Sequence, residues 1–146
     1  MDELDKEILR ELQLDARQSF TAIAQKIEIS TATVSDRVKK LSEKGLICGY
    51  TAILNTSEIG MVTMITRIKI KSGYSIEEVG EEIAKLEESC CIYHITGDFD
   101  LMVICKCPGQ GNCGAAIEKK KEIEGVERVN SEIVLKTLKE EYKVKL

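Results

Sequence analysis

The first part of the chain places apolar side chains at helical spacing. Leu4, Ile8 and Leu12 lie four residues apart and form one stripe of an amphipathic helix over residues 3–14. Ser19 is placed to cap a second, shorter helix with apolar positions of its own. The pattern therefore predicts two consecutive helices joined by a short connection.

A third helix is predicted after a tight turn. Ser30 is placed at its N-cap. Val34, Val38 and Leu41 form its apolar stripe. Gly45 lies where a glycine commonly ends a helix. A long helix, a short helix, a tight turn and a longer helix form the layout of a helix-turn-helix, which we predict here.

The pattern changes after the third helix. Residues 46–54 are expected to be extended, as a strand or wing that packs back on the helices. Residues 55–60 form a polar break that ends in a glycine and is typical of a hinge. We therefore predict a helix-turn-helix DNA-binding domain over residues 1–54, a hinge over 55–60, and a second domain over 61–146.

The second domain begins with a different period. Apolar and polar residues alternate over 61–71, which predicts a half-buried strand with Met64 and Ile68 on its inner face. Ser75 and Glu78 then have the spacing of a capping box, in which each side chain bonds to the backbone N–H of the other residue. A helix is expected to start there.

Two further strands are predicted over residues 90–96 and 99–107, joined by a hairpin turn at Gly97 and Asp98. A short helix and a last strand follow, over residues 115–124 and 126–135, and the Lys-rich tail is a candidate extension of that strand. The order strand, helix, strand, strand, helix, strand predicts an α+β fold with a ferredoxin-like second domain. One sheet face of such a domain stays open, so we expect it to pair with a second copy.

The charge of the whole chain does not indicate DNA binding, but the local charge of the third helix does. The formal net charge of −4 is not that of a nonspecific nucleic-acid coat, but residues 30–44 carry four basic and two acidic side chains. In a helix-turn-helix, the start of the last helix meets base edges in the major groove. The candidate DNA-binding residues are Ser30, Thr31, Ala32, Thr33, Ser35, Asp36, Arg37, Lys39 and Lys40.

Within that set, Lys39 and Lys40 are placed for phosphate contacts. Asp36 either accepts a hydrogen bond from cytosine N4 or pairs with one of these lysines, and we favour the ion pair. Arg37 lies beside the inner stripe, where an ion pair with an acidic residue of the first helix is at least as reasonable as a phosphate contact. The pattern alone also fits a three-helix domain that binds no DNA.

Other features restrict the chemistry. The N-terminus is acidic rather than that of a secretory signal, and the apolar runs are too short to span a membrane, so we expect a cytosolic protein. Its cysteines are then expected to be structural thiols or, as in intracellular proteins of hyperthermophiles, disulfides. Cys105, Cys107 and Cys113 are close in sequence, but no Cys-x-x-Cys pair exists, and we predict neither a metal nor a cofactor. A thiol- or metal-sensing regulator remains an alternative. The lone His94 is expected to be half-buried in a strand.

The two-domain order resembles the Lrp/AsnC family of regulators, often called feast/famine regulators, of bacteria and archaea. The resemblance covers essentially the whole chain. In the first domain, residues 4–9, 29–34 and 45–47 are similar to the family's opening helix, reading helix and exit. In the second domain, residues 96–100 are similar to its Gly-x-Tyr/Phe-Asp hairpin, and Gly125 fits the entry to its last strand.

The resemblance implies a transcriptional regulator that is not an enzyme and binds palindromic duplex DNA. It implies homodimers that assemble further, commonly to octamers, with half-sites about 34 Å or a multiple apart. It also implies an amino-acid effector near the hairpin, for which the candidate residues are Thr96, Gly97, Asp98, Asp100 and Ser131. Asp98 alternatively serves only to shape the turn.

One segment departs from the family pattern. Residues 107–114 are rich in glycine where the family starts its second helix with a polar cap, so we expect a flexible loop.

An enzymatic alternative also exists, because sirohaem decarboxylases share the two-domain layout. That tetrapyrrole chemistry requires a basic cluster around a large pocket, which the sequence does not show.

Overall fold

The computed structural model describes residues 1–146, which form two compact units. The first comprises residues 1–53 and 140–146, and the second comprises residues 54–139. The last seven residues therefore belong to the first unit, whereas the sequence analysis assigns them to the second domain. None of the helices combines the length and the apolar character of a membrane span.

The first unit contains three helices with the predicted starts. They are α1 (Glu3–Leu14), α2 (Phe20–Lys26) and α3 (Thr31–Glu43). Each N-cap side chain accepts a hydrogen bond from a backbone N–H of the first turn, and the caps are Asp2, Ser19 and Ser30. The core that these helices share consists of Ile8, Leu12, Ile23, Ala24, Val34 and Val38.

The expected strand over residues 46–54 is absent. Ile47 packs against the helical core, but Leu46, Tyr50 and Ile53 are exposed, and the segment pairs with no strand of this chain. A strand needs a neighbour that accepts its backbone hydrogen bonds, and neither unit offers one here. The prediction of a wing that packs back on the helices was wrong in this respect.

The second unit has the predicted strand and helix order. Its elements are β1 (Met61–Ile70), α4 (Ile76–Ala84), β2 (Ser89–His94), β3 (Leu101–Pro108), α5 (Gly111–Glu122) and β4 (Val126–Ile133). The strands form one sheet in the order β2-β3-β1-β4, and every pair is antiparallel. This is the ferredoxin-like arrangement, so the predicted fold class is confirmed.

The strand β1 alternates between two environments. Met64, Thr66, Ile68 and Ile70 are buried, and the residues between them are only half-buried. The buried face packs with residues of α4, β3 and α5 in one core. The other face has no helix over it, as a split βαβ layout requires.

The capping box of α4 is only half formed. The Ser75 hydroxyl accepts a hydrogen bond from the Glu78 N–H at 3.2 Å, as predicted. The same hydroxyl donates to Glu77 Oε2 at 3.2 Å. The predicted start of the helix is confirmed, but the reciprocal bond from the Ser75 N–H to the Glu78 carboxylate is not formed.

Three element boundaries differ from the predictions. The turn between β2 and β3 spans residues 95–100 and is closed by the Ile95 N–H, which donates to the Asp100 carbonyl at 2.9 Å. It is therefore wider than a two-residue hairpin. Helix α5 begins at Gly111, so the expected flexible loop over 107–114 is wrong. The tail does not extend β4, because strand structure ends at Ile133.

The early start of α5 is explained by the packing of its first turns. Cys113 and Ala116 are buried in the sheet–helix core and anchor the first turns. Burial of these apolar groups outweighs the low helix propensity of the neighbouring glycines.

The last residues of the chain are hydrogen-bonded to side chains of α1. The Gln13 side-chain amide donates to the Val144 carbonyl at 3.2 Å and accepts from the Val144 N–H at 2.6 Å. Arg10 donates to the Leu146 carbonyl at 2.8 Å. Such pairing along a backbone is how an extended segment satisfies its polar groups, and it explains why residues 140–146 belong to this unit.

Candidate functional site

The start of α3 is organised by two hydroxyl groups. Ser30 Oγ accepts from the Thr33 N–H at 3.0 Å, and it lies 2.7 Å from Thr33 Oγ1. Both hydroxyls therefore serve the helix cap. Thr31, Ala32 and Ser35 are exposed beside them, while Val34 is buried. The small side chains leave the backbone of this first turn accessible to a partner.

Two ion pairs follow along the exposed face of α3. Asp36 Oδ2 lies 2.7 Å from Lys40 Nζ, and Lys39 Nζ lies 3.9 Å from Glu43 Oε1. The Lys40 bond is the main cause that holds the pKa of Asp36 below its ordinary range. The favoured pairing of Asp36 with a lysine is therefore confirmed.

Arg37 points toward α1 and its N-cap. Its guanidinium donates to the carboxylate of Asp2 and, at 3.0 Å, to Asp5 Oδ1. The two carboxylates raise the pKa of Arg37, with the Asp2 bond as the larger cause. Arg37 thus ties α3 to α1, so the ion pair with the first helix, one of the two alternatives left open for this side chain, is present in the structure.

The turn over residues 95–100 is organised by Asp100. Its Oδ2 accepts from the Ile70 N–H at 2.8 Å, and its Oδ1 accepts from Lys69 Nζ at 3.0 Å. The Ile70 bond is the largest cause of a pKa below the ordinary range, and Lys69 adds to it. Both carboxylate oxygens therefore bind groups of this chain and hold the turn against the end of β1.

The tip of the same turn is open. Thr96, Gly97 and Asp98 are exposed. Gly97 has a φ of 113°, a backbone conformation that side chains disfavour. The tip thus offers a carboxylate and backbone polar groups to a partner, while Asp100 fixes its base.

Phe99 is a site residue that the sequence pattern did not indicate. The guanidinium of Arg67 lies 5.5 Å from the centre of its ring, and that of Arg128 lies 4.8 Å away. The arginines come from β1 and β4, so only the sheet order brings them to the turn. The cluster places two cations beside the exposed tip.

Two predicted residues have surroundings different from those expected. Ser131 Oγ lies 2.9 Å from Thr66 Oγ1, which is fully buried under the helices, so this hydroxyl is engaged inside the unit. His94 is exposed rather than half-buried, and its Nδ1 lies 3.9 Å from Glu77 Oε1.

The six cysteines are free thiols. Cys105, Cys107 and Cys113 are buried in the core of the second unit. Burial, followed by contact with Cys113, raises the pKa of Cys107 to about 12. Burial also raises the pKa of Cys105. Cys105 and Cys107 are therefore protonated at neutral pH and poor nucleophiles.

Comparison with known proteins decides the family. An AsnC-type helix-turn-helix domain matches residues 1–42, and the Lrp/AsnC ligand binding domain matches residues 63–144. The chain belongs to the Lrp/AsnC family of transcriptional regulators. The resemblance predicted from the sequence is confirmed, and the second match identifies the sheet unit as the family's ligand-binding domain.

Relatives of this Lrp/AsnC protein are similar over nearly the full length. An uncharacterized HTH-type transcriptional regulator of Pyrococcus abyssi is 37% identical over 145 residues, covering 99% of this chain and 98% of that one. The HTH-type transcriptional regulator Ptr1 of Methanocaldococcus jannaschii is 34% identical over 142 residues, covering 96% and 95%. An AsnC family regulator from Agrobacterium tumefaciens has the same fold, with a TM-score of 0.87 and 26% identity over 99% of this chain and 97% of that one.

Proposed function

We propose that this Lrp/AsnC regulator binds a specific duplex DNA sequence through α3. The observation that carries the proposal is the exposed face of that helix. Val34, Val38 and Leu41 are buried, while the small residues of the first turn and the two lysines after it face solvent. A helix anchored on one side and polar on the other is suited to the major groove.

Each exposed residue has a separate role in this proposal. Thr31, Ala32 and Ser35 lie at the start of the helix, where base edges are read. Thr33 and Ser30 fix the cap, and they contact DNA only through their remaining hydrogen-bonding capacity. Lys39 and Lys40 bind phosphates, and Asp36 is held by Lys40. Arg37 acts as a positioning residue.

The phosphate role is tested with paired lysine variants. Lys39→Ala combined with Lys40→Ala should weaken binding about equally for all sequences, and log Kd against log salt should lose a slope of about two. The control, Lys71→Ala with Lys85→Ala, removes the same charge from the second unit. Binding is measured by fluorescence anisotropy of a labelled duplex. Unchanged affinity and slope in the α3 variant would refute the assignment.

We further propose that an amino-acid effector binds at the turn over residues 95–100. Thr96, Gly97 and Asp98 form the contacts, because they are exposed at its tip, and Asp100 positions them. The Asp98 carboxylate is suited to an ammonium group. Calorimetry with each of the twenty amino acids should detect binding that Asp98→Asn weakens. Heat that is the same in this variant would locate the ligand elsewhere.

We propose that the open sheet face pairs with a second copy. Ile65 and Ile104 lie opposite each other on that face, next to Met102 of β3, and all three are half-buried in the single chain. Burial of such a face is the usual reason for dimers of open-faced sheets. A two-fold symmetric dimer is suited to palindromic DNA, and we propose that such dimers assemble further to an octamer through a second interface. A cytosolic, non-enzymatic role accords with it.

A further inference from the structure

Charged side chains of β1 and β4 surround the aromatic ring that the turn over residues 95–100 supplies. Lys69 of β1 lies directly opposite Arg128 of β4, so these two side chains share one face of the sheet. Arg67 belongs to the same face, because side chains of a strand alternate between its two sides. The ring of Phe99 lies near the guanidinium groups of both arginines. The cluster therefore lies where the turn meets the open sheet face.

The three cations of this cluster differ in their ion pairs. Lys69 Nζ lies 3.0 Å from Asp100 Oδ1, and Arg67 is paired with the carboxylate of Glu132. Arg128 is exposed, and its guanidinium forms neither an ion pair nor a hydrogen bond with another residue of this chain. Its positive charge is therefore not neutralised by any carboxylate of the cluster.

The contact with Phe99 holds Arg128 without satisfying its hydrogen-bond donors. The guanidinium carbon lies 4.8 Å from the centre of the ring, which attracts the cation through its electron-rich face. The ring offers no oxygen acceptor. The planar fork of N–H donors, which matches the two oxygens of a carboxylate, is therefore open to a ligand.

An exposed carboxylate lies next to the same ring. Asp98 directly precedes Phe99 at the tip of the turn, and its side chain has no hydrogen bond or ion pair with this chain. Neighbouring residues lie only about 3.8 Å apart along the backbone. Asp98 and Arg128 are thus opposite charges on either side of one ring that do not pair with each other. Such an arrangement is suited to a small molecule that carries both charges.

We infer that Arg128 binds the carboxylate of the amino-acid effector. Asp98 holds the ammonium group, and Phe99 packs against the carbon atoms between the two charged ends. The inference rests on the proposed effector site at the turn and adds the cation that the turn lacks, since residues 95–100 include no basic side chain. The site therefore selects amino acids over amines of the same shape, which have no carboxylate for Arg128.

The position of Arg128 is compatible with the proposed pairing of sheet faces. Lys69, its neighbour across the strands, lies four residues from Ile65, which is about 13 Å along β1. Ile65 belongs to the apolar part of the open face. A second copy that covers this part leaves Arg128 at the rim of the contact, where a small molecule has access.

Calorimetry on the full chain, with the twenty amino acids as probes, tests the role of Arg128. At least one amino acid should bind the wild-type protein. Arg128→Met should weaken that binding about tenfold, because a charge-assisted pair is lost. The matched control Lys71→Met removes another exposed cation, directly after the end of β1, and should leave the affinity unchanged.

The amide of the bound amino acid shows whether Arg128 acts by direct contact. This derivative keeps the ammonium group but has no negative charge, and at about pH 6 the amino groups of both ligands are protonated. Wild-type protein should bind the amide about tenfold more weakly than the acid, whereas Arg128→Met should bind the two within about twofold. The same ratio of affinities in both proteins would mean that Arg128 acts only on the structure, and it would overturn the inference.

The outcomes also separate this inference from the effector site on which it rests. Binding that Asp98→Asn weakens and Arg128→Met does not would support the site at the turn and overturn the contact with Arg128. Binding that neither variant weakens, or no binding of any amino acid, would overturn both. Weakening by both variants, with loss of the preference for the acid in Arg128→Met, is the result that we expect.

Discussion

Removal of the Asp100 carboxylate should destabilise the second unit by an amount that its two bonds set. Asp100→Ala leaves the Ile70 N–H without its acceptor and breaks the contact with Lys69. A hydrogen bond to a charged group contributes about 1.5–3 kcal/mol. The lysine contact is partly exposed and adds less than about 1 kcal/mol. We therefore expect a loss of about 2 kcal/mol in the free energy of unfolding.

Asp100→Asn separates the two contributions. The amide oxygen still accepts from Ile70, but the charge opposite Lys69 is gone, so the expected loss is only about 1 kcal/mol. Asp98→Asn is the control, because Asp98 is exposed at the tip, and it should change the stability by less than about 0.5 kcal/mol. Urea unfolding of the full chain, followed by far-UV circular dichroism, measures the differences. Equal losses for the alanine and asparagine variants would refute the reasoning.

The pH dependence of the same difference is a second readout. The folded pKa of Asp100 is lowered from its ordinary value of 3.8, so its stabilisation is fully present above that value. It is lost as the pH falls through the lowered folded pKa. The gap between wild-type protein and Asp100→Asn should therefore be constant near neutral pH and shrink below about pH 4. A gap that widens on acidification would contradict the assigned direction.

Three further predictions concern the helices and the open face. Ser30→Ala should lower the free energy of unfolding by about 1 kcal/mol, because the cap of α3 is lost. The single variant Ser30→Asp keeps a capping oxygen and should therefore retain most of the wild-type stability in urea unfolding. Arg37→Met should lower the melting temperature and also weaken DNA binding without a change in its salt slope, because the side chain holds α3 against α1. Ile104→Glu should convert the assembly to monomers in analytical ultracentrifugation, and an unchanged sedimentation coefficient would exclude this face as the interface.

Local chemistry made the helices of the first unit predictable. Ser19 and Ser30 cap α2 and α3 where the sequence places them, because a cap needs only its own first turn. The alternation of β1 was equally informative, since one buried face forces a period of two. The expected strand over residues 46–54 failed because strand formation depends on a partner that sequence spacing does not reveal.

The site was predictable only in part for the same reason. The place of Arg37 beside the inner stripe of its helix indicated the ion pair with α1 as one of two alternatives. Phe99 lies beside two arginines because strands that are distant in sequence are neighbours in the sheet. Glu88 lies beside Lys120 because α5 packs on the sheet. The start of α5 was misplaced because burial of Cys113 overrode the glycine signal.

The central claim is that the exposed face of α3 reads DNA sequence. Selection of bound fragments from a random duplex pool, with wild-type protein and with Ser35→Leu, tests it most directly. Ser35 is exposed at the start of α3, so the leucine leaves the core intact while altering the reading surface. We predict that wild-type protein enriches a two-fold symmetric motif and that the variant changes or loses it. An identical motif from both proteins, or no enrichment by the wild type, would contradict the claim.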